Sequence, residues 1–281
     1  NVSYQAFVSE YRGHAGKLAA EICAMDDNDI CLVAVGGDGT ANEVINGITD
    51  FEKVRFGVIP TGSGNDLARG LSLSKDPKNG AIHILNAMKK SREDTWCMDL
   101  GEVNFGEKKR LFAISAGIGL DALVCKKALK STIKDILNKI RLGKLTYLVL
   151  TVQSLFTMQT ADAEIFFDRE EGLQKKRMIF TAAMNFKAEG GGVPMAPAAS
   201  ACDGKLSFCE AAGIPKWRTF LCLPFLVAAK HTSIHGFSVT DAKDCTIRLS
   251  RPMVVHADGE YCGEVTEVHF HCLPGKLRVL K

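Results

Sequence analysis

No Cys-x-x-C pair occurs in this 281-residue chain, although it carries ten cysteines. They are scattered from Cys23 to Cys272, which excludes a disulfide-stapled module and a common zinc finger and fits a reducing, cytoplasmic setting. Cys23, Cys31, Cys97 and Cys125 lie among apolar neighbours, where a thiol behaves as a small hydrophobe. The other Cys/His candidates for a metal are His231 with His235 and the run His269-Phe270-His271-Cys272, and their spacing matches none of the usual zinc patterns. In an extended run His269 and His271 share one face and Cys272 takes the other. Long hydrophobic stretches are missing too: Phe220 to Ala229 and Tyr147 to Leu150 fall well short of the roughly 20 residues a spanning helix needs. The polar opening, Asn1-Val2-Ser3-Tyr4-Gln5, does not resemble a signal peptide. Nor is one charge sign in excess. With 35 Lys plus Arg against 32 Asp plus Glu, the formal charge is +3, too mild to point to nucleic acid. Repeats, low-complexity tracts and Pro/Ser-rich linkers are also lacking.

What is present is an ordinary globular composition, 46% hydrophobic and 24% charged, long enough for two domains. The first third alternates strands and helices. Tyr4 to Val8 reads as a short strand, Ala15 to Met25 as a helix, and Ile30 to Val35 as a strand covered on both faces. Thr40-Ala41-Asn42-Glu43 has capping-box form and predicts a helix from Thr40. Phe56 to Ile59 repeats the strand, a helix runs through Leu67 and Leu71, and another spans Ala81 to Met88. Strand–helix alternation predicts a parallel sheet. Beyond about Thr95 short β-branched and aromatic stretches dominate: Leu111 to Ser115, Ala163 to Phe167, Met178 to Met184, Lys205 to Glu210, Cys245 to Leu249, Met253 to His256 and Val265 to His271. Asp203-Gly204 and Asp258-Gly259 are hairpin signals among them. The expectation is an α/β domain over 1–94, onto which 275–281 packs back, followed by a mainly antiparallel β-rich domain over 95–274 with a helical insert at 126–156.

Two glycine loops carry the chemistry. Gly36-Gly37-Asp38-Gly39-Thr40 sits between a buried strand and a helix, where bare backbone N–H groups and a helix N-terminus favour a phosphate. Pro60-Thr61-Gly62-Ser63-Gly64-Asn65-Asp66 follows the next strand, so parallel pairing brings both loops to one carboxyl edge, where α/β sheets bind ligands. Neither is a Walker A loop or a dinucleotide fingerprint. Asp38 beside phosphates calls for an intervening divalent cation, which points to Mg²⁺ and phosphoryl transfer.

Gly36 to Glu43 together with Pro60 to Asp66 resembles the diacylglycerol kinase catalytic-domain superfamily, most of all its bacterial lipid kinases, with sphingosine and ceramide kinases as relatives. Gly13-His14-Ala15, Asp99-Leu100-Gly101, Ala116 to Asp121, Gly190-Gly191-Gly192, Ala196-Pro197, Asp203-Gly204 and Asp258-Gly259-Glu260 extend the resemblance over nearly the whole chain. It implies an NAD kinase/diacylglycerol kinase-like α/β nucleotide-binding domain, a β-rich second domain and an active site in the cleft between them. ATP would be held by Ser9, Gly36, Gly37, Asp38, Gly39, Thr40, Ala41, Asn42, Glu43, Gly62, Ser63, Gly64 and Asn65, with Ser63 standing where the family usually has threonine. Asp258 or Glu260 would be the base for the acceptor hydroxyl, with Asp38 also catalytic. Asp203 with the carbonyls of Ser200 and Lys205 would hold Mg²⁺, and Asp121 would orient the acceptor. The family's first strand, with its Asn-Pro-x-x-Gly turn, has no counterpart, and the chain starts at what resembles the second strand.

A lipid acceptor has to be collected from a membrane. Lys126 to Lys144 carries seven basic residues against Asp135, beside an apolar stripe of Leu129, Ile133, Ile136, Leu137 and Ile140, the pattern of a helix able to lie on an anionic membrane or to cover a core. The reading is an ATP- and Mg²⁺-dependent kinase acting on a primary hydroxyl of diacylglycerol or a related lipid. It would be cytoplasmic and peripheral at the inner face of the membrane, with no nucleic-acid partner and with homodimerisation open. The alternatives are an NAD kinase-like phosphotransferase and a catalytically silent nucleotide- or lipid-binding protein.

Overall fold

The computed structural model describes residues 2–25, 29–130, 143–168 and 171–281. The chain divides into two compact units, residues 1–98 with 275–281 and residues 99–274.

In the first unit, α1 (His14–Cys23) precedes β1 (Ile30–Gly36), α2 (Asp38–Gly47), β2 (Val54–Pro60), α3 (Asp66–Gly70) and α4 (Pro77–Ala87). β1 and β2 pair in parallel from Ile30↔Val54 to Gly36↔Pro60, which sets the two glycine loops side by side. A later strand, β12 (Glu260–Val279), returns its final residues to this unit and pairs Arg278↔Arg55 and Val279↔Phe56, also in parallel. Asp76 caps α4 by accepting from the Lys78 N–H at 3.1 Å, and Pro77 occupies the first turn, where its missing N–H costs nothing.

Two expectations fail here. Tyr4 to Val8 is not a strand: residues 2–10 are exposed and outside regular structure, because an isolated strand has no neighbour to take its backbone groups. The Thr40 capping box is not formed either. α2 starts two residues earlier, with Gly37 at its N-cap and no side-chain cap, and Glu43 reaches instead to the Gly13 N–H at 2.8 Å.

The second unit takes up β3 (Trp96–Phe105) from Asp99 onward, then β4 (Lys108–Phe112), β5 (Ser115–Gly119), α5 (Leu120–Lys130), α6 (Gly143–Thr157), β6 (Ala161–Phe167), β7 (Leu173–Met178), β8 (Phe180–Met184) and β9 (Leu206–Ala211). α7 (Lys216–Val227), a 3-10 turn at His231–Ser233, β10 (Phe237–Ala242) and β11 (Asp244–Ala257) lead into β12. The sheet order is β12-β11-β5-β8-β9-β10, antiparallel throughout. The stretches read as separate strands at Cys245 to Leu249 and Met253 to His256 are one strand. β11 pairs with β6 over 245–249 and with β5 over 255–257, and a register shift between Arg248 and Met253 accommodates Pro252, which has no N–H to donate. β11 turns into β12 through Asp258 (φ 48°) and Gly259 (φ 81°), the paired left-handed residues of a tight hairpin. Its core is built on Phe112, Ile118, Leu155, Ile165, Phe208 and Phe270.

Of the basic segment Lys126 to Lys144, residues 131–142 lie outside the described residues. Lys126 pairs with Glu264 and lies 4.9 Å over the Tyr261 ring, while Lys127 donates to Thr157 Oγ1 at 3.2 Å. These two cations are therefore engaged within the second unit. None of the helices described is long and apolar enough to cross a membrane.

Candidate active site

The glycine loops of the first unit are locked together. The Thr61 N–H donates to Gly36 O at 2.9 Å, and Gly37 and Gly62 approach so closely that a Cβ on Gly62 would sit 2.6 Å from the Gly37 Cα. Asp38 supplies the other half of the lock. Its Oδ2 accepts from the Asp66 N–H and its Oδ1 from the Leu67 N–H, each at 3.0 Å, so it caps α3 from across the loops. Burial raises its pKa, against the lowering effect of the amides and of Arg69. Asn65, in a left-handed conformation, braces the second loop by accepting the Gly62 N–H at 3.0 Å and donating to Gly62 O at 2.7 Å. Arg69 pairs with Asp66 and donates to Gly64 O, 3.0 Å away.

At this end of α2 the Ala41 N–H donates to Gly37 O at 3.1 Å, so Gly39 and Thr40 stand in the first turn of a helix, where N–H groups lack intrahelical partners and the positive dipole backs them. Thr61, Gly62 and Ser63 are exposed beside them. The structure thus brings Gly36 to Thr40 and Gly62 to Asn65 to one edge. Ala41 and Asn42 are buried in the helix instead, Asn42 to 1% exposure, and Ser9 lies in the exposed opening segment outside any strand.

In the second unit, Asp258 is an anchor. Its carboxylate accepts from the backbone N–H groups of Ala113 (2.8 Å), Ile114 (2.8 Å) and Ser115 (3.1 Å), and its own N–H donates to Ser115 O. Glu260 follows as the first residue of β12. Asn185 supports this loop from below, donating to Ala113 O and to Asp99 O at 2.9 and 2.8 Å. Asp99 is buried and accepts the Gly204 N–H at 2.7 Å, so it shapes the turn carrying Asp203. Asp203 is exposed and accepts the Lys205 N–H at 3.0 Å. Taken with the peptide carbonyls of Ser200 and Lys205, as the resemblance implies, its carboxylate would make an all-oxygen donor set, the chemistry Mg²⁺ takes.

Sequence reading named Asp121 but missed the part-buried cluster it forms with Glu189 and His256 beside the Asp-Gly-Glu turn. Its ligand-type atoms, from Asp121, Glu189 and His256, lie within 4.8 Å of one another. His256, 2% exposed, approaches Asp121 Oδ2 through Nε2 at 3.1 Å, and the Gly259 N–H donates to its Nδ1 at 3.2 Å. Burial pulls the His256 pKa down, but the Asp121 hydrogen bond and the charges of Asp121, Glu189 and Asp258 carry it above its ordinary value. Glu189 is raised, chiefly by burial and then by the neighbouring carboxylates, with Ser115 Oγ donating to it. Asp121 Oδ1 is buried without a partner. The signal for this cluster lay in glycines. Gly117 faces His256 across β5 and β11, and a Cβ there would fall 1.8 Å from Asp121 Oδ2. Gly190, Gly191 and Gly192 all take positive φ in the turn that presents Glu189. His231, a metal suspect by sequence, is instead a core residue with Nε2 2.9 Å from Met195 O.

Comparisons with known proteins bear on the fold and the family. Residues 1–98 match the model of the diacylglycerol kinase catalytic domain, and residues 115–281 that of the YegS C-terminal NAD kinase beta sandwich-like domain. The chain is 29% identical over 283 aligned positions to a Bacillus subtilis (strain 168) protein named "Putative lipid kinase YtlR", covering 99% of this chain and 89% of that one. It is 28% identical to a diacylglycerol kinase of the same organism, covering 87% and 75%. A structure from Bacillus anthracis str. Sterne, described as a "putative diacylglycerol kinase", shares the fold with a TM-score of 0.74 at 22% identity, covering 97% of this chain and 84% of that one. An NAD kinase from Archaeoglobus fulgidus shares it more loosely, with a TM-score of 0.50 at 12% identity over 94% and 87%. Fold and comparisons together define a kinase, a phosphotransferase with an alcohol as acceptor. Within that class, the chain belongs to the bacterial diacylglycerol kinase-like lipid kinase family.

Proposed function

We propose that the protein transfers the γ-phosphoryl group of ATP, with Mg²⁺, to a primary hydroxyl of diacylglycerol or a related lipid. The observation that carries this reading is the interlocked pair of glycine loops at one carboxyl edge, with a helix N-terminus at that same edge, a setting that favours a phosphate. The nucleotide phosphates would lie on Gly37 to Thr40 and Gly62 to Asn65. Asp38 serves them indirectly, by fixing the second loop to the first. Asp203 with the Ser200 and Lys205 carbonyls would hold Mg²⁺, which supplies charge neutralisation for the phosphates when bound.

Glu260 is the base in this proposal, because three backbone amides already occupy the Asp258 carboxylate. The acceptor oxygen forms a bond to the γ-phosphorus as its proton passes to Glu260, the bond from the γ-phosphorus to the bridging oxygen breaks, and ADP leaves. Asp121, with its unpartnered Oδ1, orients the acceptor, and His256 positions Asp121 against the hairpin turn. Collection of the lipid from a membrane is part of this reading. Its support is the exposed apolar side chains of α7 (Trp217, Phe220, Leu221 and Phe225), together with Phe156, which packs 6.0 Å from the Phe220 ring.

Radiolabelled ATP offered with diacylglycerol, sphingosine, a polyprenol and NAD tests the proposal. Label in the organic extract of the diacylglycerol arm is the expected result. Label on NAD would move the reading to a soluble acceptor, and label nowhere would leave a nucleotide- or lipid-binding protein.

A further inference from the structure

Away from the Asp-Gly-Glu turn, the β11–β12 hairpin carries a second cluster, which the proposed reaction does not use. His269 and His271 are two residues apart on β12 and therefore project to the same face. The antiparallel register sets Asp244 opposite His271 and Thr246 opposite His269. Asp244 Oδ1 lies 2.7 Å from His271 Nδ1 and 3.4 Å from His269 Nε2, and the three donor atoms fall within 4.8 Å of one another. Thr246 Oγ1 lies 3.0 Å from His269 Nδ1. The imidazole rings stand nearly parallel, 6.4 Å apart at 18°. Each member is part exposed, His269 at 39%, Asp244 at 37% and His271 at 30%, which leaves a way in and room for water.

We propose that Asp244, His269 and His271 bind a divalent transition-metal ion of the Zn²⁺ class. Metal–ligand bonds of about 2.0–2.1 Å in a tetrahedron set neighbouring ligand atoms about 3.3 Å apart, close to the separations present. Thr246 supplies the outer contact that ligating histidines require. When its hydroxyl accepts the Nδ1 proton of His269, the Nε2 lone pair faces the Asp244 carboxylate. Two acceptors then oppose each other in the bare cluster, and a cation between them resolves the conflict. Two imidazoles and one carboxylate suit zinc, copper or nickel rather than Mg²⁺, which prefers oxygen ligands alone. Three protein ligands leave a coordination position for water. The third ligand is what sequence spacing could not supply, since Asp244 comes from the neighbouring strand, 25 residues before His269.

The test is calorimetric titration of the chelator-treated full chain with ZnCl₂, with Co²⁺ absorption reporting geometry. One equivalent should bind with a dissociation constant of about 10 μM or below, unaffected by excess Mg²⁺. His269→Ala and His271→Ala should each weaken binding at least about tenfold, and Thr246→Val by about 10–100-fold. Absence of uptake at about 100 μM zinc, or uptake that survives in the double variant, overturns the proposal. That double variant keeps all ten cysteines, so retained binding would place the ion elsewhere. Should a variant fold poorly, the imidazole ¹⁵N resonances of the unaltered protein decide. Zinc must shift His269 and His271, and a titration that leaves both unmoved overturns the site as surely. None of these readouts depends on kinase activity.

Discussion

At the scale of single residues, the second unit shows how one missing side chain makes space for a polar pair. Gly117 lies under the Asp121–His256 contact, and Gly117→Ala would drive a methyl group into Asp121 Oδ2. The expected outcome is loss of most acceptor turnover while ATP affinity stays at its original value, since the change lies in the second unit. Steady-state kinetics beside equilibrium nucleotide binding checks this. His256 makes a separate prediction about pH. Its folded-state pKa lies above the ordinary 6.5, so its contribution to stability is fully present below that value and is lost as pH rises through the folded value. Glu189, also raised, contributes with the same sign at lower pH. Urea denaturation across pH 6 to 9 should therefore show stability falling from the acid side, and His256→Gln should flatten the fall. Protonation also forfeits the bond that Nδ1 accepts from the Gly259 N–H, so the same titration bears on the hairpin turn.

At the scale of elements, the short α3 exists because Asp38, 28 residues before its first residue, caps it. Asp38→Asn would set an amide N–H₂ against one of the two backbone donors, at a cost of about 1–3 kcal/mol. The second loop should loosen, ATP affinity should fall and turnover should be lost, while α1, β1 and β2 remain folded by circular dichroism. A variant with full activity would remove Asp38 from the machinery. Much at this scale was legible in the sequence. Ile30 to Val35 announced β1 by an uninterrupted apolar run, although its burial alternates and Val35 is left 61% exposed, and the two loops were bounded by residues of unmistakable type. What escaped has physical causes. β3 carries the buried Asp99 and Gly101, which break the two-residue alternation, and each has a tertiary reason: the Gly204 N–H for one, the Phe112 ring against the other. α7 carries Pro224 in its interior and an exposed apolar side, so its periodicity is blurred. Thr40 and Glu43 had the right letters for a cap, but Glu43 found a stronger claim in the Gly13 N–H, on another element. The Asp121–Glu189–His256 cluster draws on three distant stretches, and no local pattern can announce such a meeting.

On the scale of the whole molecule, the division into units does not follow chain order. Residues 275–281 belong to the first unit, where Arg278 and Val279 extend the parallel sheet and the Leu280 N–H donates to Phe56 O at 2.8 Å. Leu277, Val279 and Leu280 are fully buried there, Lys281 lies 4.0 Å over the Trp96 ring, and Lys276 lies 4.9 Å over that of Phe51. Leu280→Ala should cost about 2–5 kcal/mol, read as a lower urea midpoint, with the loss felt in nucleotide binding although the site of change is about 220 residues from the second glycine loop. In translation order the two glycine loops precede by about 200 residues the segment that completes their sheet. Until residues 275–281 have followed, the β2 edge keeps backbone N–H and C=O groups unpaired, and the apolar surface that Leu277, Val279 and Leu280 cover stays open to water.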